Sequence, residues 1–160
     1  MFRTRVLLLT ILLTIAVASC QVKAGLYDTY PDFSFLILST PIVRLGDLKT
    51  DPLDPTHEYF ETTNALSVLF YTRSSKWEVV MSGSDFQSGS ESIPLRQMEW
   101  KKEGANYKKM SSPGKNTVLA KAQGEGNLFY MLNLSFRLVL EGVEIPGRYG
   151  NTMVISMIFP

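Results

Sequence analysis

Residues Leu128 to Leu140 read LFYMLNLSFRLVL. Every even position is apolar: Leu128, Tyr130, Leu132, Leu134, Phe136, Leu138 and Leu140. The odd positions include Asn133, Ser135 and Arg137. Successive strand side chains point to opposite faces, so this is one strand with a wholly apolar face and a partly polar one. An amphipathic helix would space its apolar residues by three and four. Here the spacing is two.

The same alternation recurs on both sides of this stretch. Met153, Ile155, Met157 and Phe159 alternate with Thr152, Val154, Ser156 and Ile158. Ala65 to Tyr71 reads as a strand, Ser74-Ser75 interrupts it, and Trp77 to Ser82 returns with Trp77, Val79 and Met81 on one face. That pair predicts a hairpin. Ile93 to Trp100 is a strand that Pro94 opens, which predicts an edge or a strand start. Tyr107 to Met110 follows a turn at Glu103 to Asn106. Thr117 to Ala122 is expected to pair with the long strand across Gly124-Glu125-Gly126. Phe33 to Leu38 and Ile42 to Leu45 are further candidates on either side of Ser39-Thr40-Pro41. Gly46 to Glu58, rich in Pro and Asp, and Ser82 to Ser92, rich in Ser and Gly, read as the least structured stretches. The expected fold is therefore all-β, a two-sheet β-sandwich of about eight or nine short strands. No internal repeat and no helical stripe occurs after residue 25.

The N-terminus reads as an address. Arg3 and Arg5 precede Val6 to Val17, a run of twelve nearly all apolar residues (VLLLTILLTIAV). A helix needs roughly 20 apolar residues to span a bilayer core, so twelve suits the core of a signal peptide. Val22-Lys23-Ala24 places small or aliphatic residues where signal peptidase requires them. Residues 1–24 are read as the signal peptide and 25–160 as the β-domain. Val17-Ala18-Ser19-Cys20 also resembles a lipobox, which makes Cys20 the candidate for lipidation and a lipid anchor. The expected location is exported: periplasmic, extracellular or cell-surface. No transmembrane segment is expected after processing.

Composition narrows the function classes. The chain of 160 residues is 45% hydrophobic and 19% charged, with a formal net charge of +1. That excludes an intrinsically disordered chain. Taking Arg3, Arg5 and Lys23 from the 16 basic residues leaves 13 against 15 acidic, a net −2 for the processed domain. With a single Cys, no disulfide framework can form within the chain. A domain of this size buries roughly two-thirds of its unfolded surface and can stand on its core.

Tests for chemistry return little. The single His, His57, sits in a Pro-rich stretch with no G-x-S-x-G elbow to supply a nucleophile, and reads as an exposed loop residue. Glu141 and Glu144 flank Gly142-Val143 and read as a charged turn rather than a glycosidase pair. Asp47, Asp51, Asp54 and Glu58 are the only calcium candidates, four hard oxygen ligands in one loop. Their spacing is not that of an EF-hand, and a solvated acidic loop is the preferred reading, with no metal or cofactor expected. Lys101, Lys102, Lys108 and Lys109 lie beside Trp100 and Tyr107, a pattern that can grip a single-stranded nucleic acid. An exported domain of net negative charge argues against that, and lysines on an edge hairpin also discourage aggregation. Asn133-Leu134-Ser135 matches a glycosylation acceptor but falls in mid-strand and carries no weight.

Two stretches carry a family resemblance. Trp77 to Trp100 (WEVVMSGSDFQSGSESIPLRQMEW) resembles a segment of bacterial secreted and cell-surface β-domains, with a Trp-led strand, a Ser/Gly/Asp loop and an Ile-Pro strand closing on a second Trp. Ile145 to Phe159 (IPGRYGNTMVISMIF) resembles the closing strand of fimbrial-type and spore-coat-U-like pilin domains. WxL domains are a neighbouring comparison, from which Trp77-Glu78-Val79 and Trp100-Lys101-Lys102 both depart. The resemblance implies an immunoglobulin-like sandwich with no catalytic residues to carry over. Gly147 and Gly150 are expected to permit unusual backbone angles around Tyr149, and Trp77 is expected in the core.

The expected function is a non-enzymatic structural, adhesive or fimbria-like assembly component. The alternative is a carbohydrate- or ligand-binding accessory domain, with calcium as its candidate aid. A protein partner or self-assembly through a sheet edge fits the first reading, with Tyr27 to Leu38 as a candidate donor strand. No nucleic-acid partner is expected.

Overall fold

A computed structural model of the chain describes residues 33–122 and 128–159. The signal-peptide reading, Cys20 and Gly124-Glu125-Gly126 lie outside the described residues. The described chain is all-β, with eleven strands in antiparallel sheets. They are β1 (Phe35–Leu38), β2 (Leu48–Asp51), β3 (Asp54–Thr72), β4 (Glu78–Gly83), β5 (Phe86–Ser88), β6 (Glu91–Ile93), β7 (Met98–Lys102), β8 (Lys108–Lys109), β9 (Thr117–Lys121), β10 (Leu128–Val139) and β11 (Met153–Ile158). A 3-10 turn, Leu95–Gln97, precedes β7. No described helix is long and apolar enough to cross a membrane.

The alternating stretch from Leu128 onward is β10, and it lies at the middle of the largest sheet. That sheet runs β1-β3-β10-β7-β8, and β2 also pairs with β3. β1 pairs with residues Val68 to Tyr71 and β2 with residues Asp54 to Phe60, so the two lie one after the other along the same edge of the 19-residue β3. A second sheet runs β11-β4-β9, and β5 and β6 form a small hairpin tied to Gly150 by a bridge at Gln87. The apolar face predicted for β10 is inward: Leu134, Phe136 and Leu138 are buried. They join Leu66, Val68 and Phe70 of β3 in one apolar cluster with Trp77, Val79 and Met81, and with Leu119 of β9. Both larger sheets therefore feed the same core. Burying each large side chain contributes about 1.5–3 kcal/mol.

One irregularity divides the large sheet. Leu134 faces Leu66, but Phe136 faces Thr62, so β3 carries two more residues than β10 between these pairs. Asn64 turns there with φ 48°, in the left-handed region that Asn tolerates better than most residues. Its N–H donates to the Ser135 hydroxyl at 2.9 Å, and Ser135 is only 2% exposed. An apolar residue at 135 would leave that N–H without this partner, which explains a Ser in the middle of a strand of large apolar residues. The two extra residues keep the inward parity, so Phe60 and Thr62 stay in step with Leu66 and Val68.

Several sequence expectations need correction. Gly46 to Glu58 is not irregular: it holds β2 and the start of β3. Pro52 and Leu53 form the turn, and Pro55 lies beside a register shift where a missing N–H costs no ladder bond. His57 is accordingly a half-buried strand residue, not an exposed loop one. Ser82 to Ser92 contains β5 and the turn to β6, with Gly89 at φ 62°. Ile42 to Leu45 is not a strand, although Val43 and Leu45 pack on the core.

Ala65 to Tyr71 and Trp77 to Ser82 do not form a hairpin, because β3 and β4 belong to different sheets. Thr117 to Ala122 pairs with β4, not with β10. Pro94 does not mark an edge: the predicted Ile93 to Trp100 strand is split by the 3-10 turn, and β7 has neighbours on both sides. Gly147 and Gly150 have no positive φ. A Cβ on Gly147 would lie 2.8 Å from the Ser88 hydroxyl, and Gly150 exchanges backbone bonds with Gln87. Trp77 is buried as expected, and Met153, Ile155 and Met157 pack against the core while Phe159 is exposed.

Candidate functional site

The outward face of the large sheet changes in composition along the strands. Register places Phe35, Tyr71 and Phe129 in one row across β1, β3 and β10. Their rings lie 4.9–6.0 Å apart, and Phe33 joins at 5.8 Å from Phe35. Aromatic pairs at such spacing attract through edge-to-face or offset contacts. The next row is Ile37, Leu69 and Met131. Phe33 (62%), Ile37 (54%), Phe129 (68%) and Met131 (66%) remain widely exposed. Neither row bears a charge. The signal for them was present in β10, whose odd positions are apolar at 129 and 131 and polar only from Asn133 onward.

A polar row follows. Ser67 donates its hydroxyl to Asn133 Oδ1 at 2.8 Å, and Asn133 Nδ2 donates to Glu103 at 3.0 Å. The Ser39 hydroxyl accepts the Ser67 N–H. Beyond the irregularity at Asn64 the face becomes ionic. Glu61, Arg137, Glu99 and Lys109 stand directly opposite one another on β3, β10, β7 and β8, with alternating sign across four strands. Arg137 donates from Nε and Nη2 to Glu99 Oε2, at 3.0 and 2.5 Å. Lys49 on β2 donates to Glu61 at 3.1 Å.

Tyr107 closes this end. Its hydroxyl donates to Glu61 Oε1 at 2.6 Å, and its ring lies under Arg137 (4.2 Å) and Lys101 (4.4 Å). The Tyr107 bond, aided by Lys49, holds the Glu61 carboxyl below its ordinary value despite partial burial. Burial, then the Glu61 carboxylate, pushes the Tyr107 phenol well above its ordinary range.

A groove of about 320 Å³ lies beside this end, lined by His57, Arg96, Gln97, Glu99, Lys109, Val139 and Glu141. The described lining includes no Ser, Thr or Cys to act with His57, whose ring instead neighbours Tyr59 at 5.9 Å. Glu141 and Glu144 do not face each other as a pair. The Glu144 carboxylate accepts the N–H of Glu141 (2.7 Å), Gly142 (2.9 Å) and Val143 (3.1 Å) and the Gln97 amide (2.6 Å). Burial raises its pKa, but these donors outweigh it and hold the carboxyl below its ordinary value.

The calcium candidates are not brought together: among the described residues, no three His, Cys, Asp or Glu side chains gather as an ion site. Asp51 accepts the Leu53 N–H at 2.8 Å and Asp54 accepts both the N–H and hydroxyl of Thr56, so these carboxylates organise the β2–β3 turn. The Thr56 hydroxyl is the main cause of a lowered Asp54 pKa. Glu58 lies opposite Thr50 within the β2–β3 ladder. In the basic hairpin, Trp100 is buried and Tyr107 is engaged with Glu61, so neither offers a free ring for a base. Asn133 is bonded within the polar row and Ser135 is buried.

Compared with protein-family models, curated proteins and solved structures, the chain matches none.

Proposed function

We propose that the protein is an exported, non-enzymatic β-sandwich of immunoglobulin-like type, acting by contact at the cell surface or in the periplasm in a structural, adhesive or fimbria-like assembly role. The observation that carries this reading is the uncharged, exposed end of the large sheet. Contiguous apolar surface that is rimmed by polar residues marks an interaction site. The shared core of the two larger sheets supports the sandwich. β1, an edge strand with the sequence FLIL and no charge, supports self-assembly or partner binding at the same edge. The engagement of Glu144 with Gln97 and three backbone N–H groups, and of Tyr107 with Glu61, supports a role other than catalysis.

Expression with the native N-terminus, followed by fractionation and intact mass, tests the reading. The product should lie in the envelope or medium and lack about the first twenty residues. A mature N-terminus at Gly25 selects signal peptidase cleavage, and a diacylglyceryl group on Cys20 selects lipidation. A cytosolic product retaining Met1 overturns the reading.

A further inference from the structure

We propose that the apolar end of the large sheet rests on a lipid bilayer bearing anionic headgroups, so that the domain is held on the membrane in one orientation. This inference rests on the exported, surface-acting reading above and names the surface involved.

Three observations converge on that end. The first is its chemistry: Phe33, Phe35, Ile37, Phe129 and Met131 share one face without a charged residue among them. Aromatic side chains settle at the boundary between headgroups and acyl chains, and a flat apolar face can be immersed there.

The second observation is its rim. The turn that follows Tyr71 presents Arg73 and Lys76, and β9 ends nearby at Lys121, all three exposed. The proximity is fixed by Ala122, whose N–H bonds to the Trp77 carbonyl, and by the Trp77 ring, which lies 5.0 Å from Phe70 and 4.9 Å from Tyr130. Glu78, half-buried and opposite Lys121, is the acidic residue on these described segments. An apolar face with a basic rim complements an anionic membrane, where lysine and arginine meet headgroups while apolar groups enter the boundary.

The third observation is where the chain enters. Residues 1–32 precede Phe33, which is itself part of the aromatic cluster. The N-terminal sequence holds the basic and apolar run read as a signal peptide, with Cys20 as the candidate lipid site. Phe33 lies thirteen residues beyond Cys20, and an extended chain of that length reaches at most about 45 Å. A lipid at Cys20 would tether the domain through Phe33, which belongs to the aromatic end. Pairing of two copies through β1 would extend the sheet but leave the aromatic face open, so it does not compete as a cover.

The test places a probe on the face. Trp77 and Trp100 are buried and provide the background signal. Phe129→Trp puts an indole on the exposed aromatic row. Val143→Trp puts one in the exposed turn after the far end of β10. Each full-length variant is mixed with vesicles of phosphatidylcholine and phosphatidylglycerol whose acyl chains are brominated. After the emission of the parent protein, from Trp77 and Trp100, is subtracted, that of the Phe129→Trp probe should shift to the blue and fall at least two-fold against unbrominated vesicles, while that of the Val143→Trp probe is unchanged. Removing the phosphatidylglycerol, or adding Arg73→Glu with Lys76→Glu, should restore most of the emission from the face probe. Attachment through the N-terminal residues alone leaves both probes unquenched and overturns the inference. So does a face probe already shielded without lipid in a particle of twice the monomer mass, which would assign the face to a second copy. An envelope-located protein whose face probe stays unquenched defeats this inference and leaves the surface reading standing. A cytosolic protein removes both.

Discussion

The two ends of the large sheet's outward face are built on the same strands, β3 and β10, and are chemically opposite. At one end the rows of Phe35, Tyr71 and Phe129 and of Ile37, Leu69 and Met131 hold no charge. At the other, Glu61, Arg137, Glu99 and Lys109 alternate in sign across four strands, with Tyr107 bonded over them. The irregularity at Asn64, closed by Ser135, lies between the two ends. The ionic end has found its partners within the molecule. The apolar end leaves Phe33, Ile37, Phe129 and Met131 exposed, and the proposed function rests on that end. Internal satisfaction, more than residue type, separates the ionic end from the apolar one.

That comparison can be broken by substitution. Arg137→Ala removes the two bonds to Glu99, the contacts with the Tyr107 and Tyr59 rings, and an aliphatic stem. Allowing for partial exposure, chemical denaturation should show a loss of about 2–3 kcal/mol. If the loss is under about 0.5 kcal/mol, the level of an ordinary surface substitution, the charge row is decoration and the contrast fails. Ser135→Ala should cost about 1 kcal/mol by removing the bond that the Asn64 N–H makes to the buried Ser135 hydroxyl. Hydrogen exchange should then accelerate on both flanks of the irregularity, and unchanged exchange would mean that it does not hold the two ends in register.

Tyr107→Phe should cost about 1 kcal/mol near neutrality and change the pH profile. The raised Tyr107 pKa means that its contribution is complete below its ordinary value of 10.0 and is lost as pH rises through the folded-state value. The lowered Glu61 pKa means that its contribution is complete above its ordinary 4.5 and is lost as pH falls through a still lower value. Melting curves of Tyr107→Phe should therefore decline less above about pH 10 and also decline less on acidification below about pH 4.5, because the Glu61 carboxyl loses the main cause of its lowered pKa. Parallel profiles would show that the phenol and carboxylate are not coupled.

Phe129→Ser should change stability by no more than about 1 kcal/mol, since only aromatic contacts on an exposed surface are lost. It should nevertheless reduce binding of a hydrophobic dye, the reverse of the pattern at Arg137. A collapse in stability would place the aromatic row among the structural elements. The smallest effect is expected from calcium. Melting in millimolar calcium and then in chelator should superimpose, because Asp51 and Asp54 are committed to the β2–β3 turn. A shift of several degrees with calcium would revive the loop as a ligand site.

How much could be read from residues alone follows from what alternation encodes. Period two tells which face of a strand is buried, so the inward residues of β10 and the core role of Trp77 were legible. It does not tell which strand lies beside which. The Ala65–Tyr71 and Trp77–Ser82 segments look like two arms of a hairpin, yet they lie in separate sheets. Pro52 and Pro55 concealed β2 and the first half of β3, because a turn and a register shift tolerate them where a regular ladder would not. The charge row was invisible because its four members come from strands distant in sequence, and only register makes them neighbours. The aromatic end was half legible in Phe129 and Met131, but Tyr71 and Phe35 joined it only through pairing.

The arrangement of β1 and β2 along one edge of β3 also has a mechanical consequence. Both strands run antiparallel to β3, and β1 comes first in the chain. Tension applied at Phe33 along the strand axis enters through β1 and loads the Phe35–Tyr71 to Leu38–Val68 pairs in shear, sharing the force among them. The same tension applied sideways opens those pairs one at a time, like a zipper, and reaches the Ser39 N–H bond to Ser67 before it reaches β2. Resistance to pulling at the N-terminus therefore depends on direction, and β1 can be peeled away as a first mechanical unit while β2 still guards the ionic end.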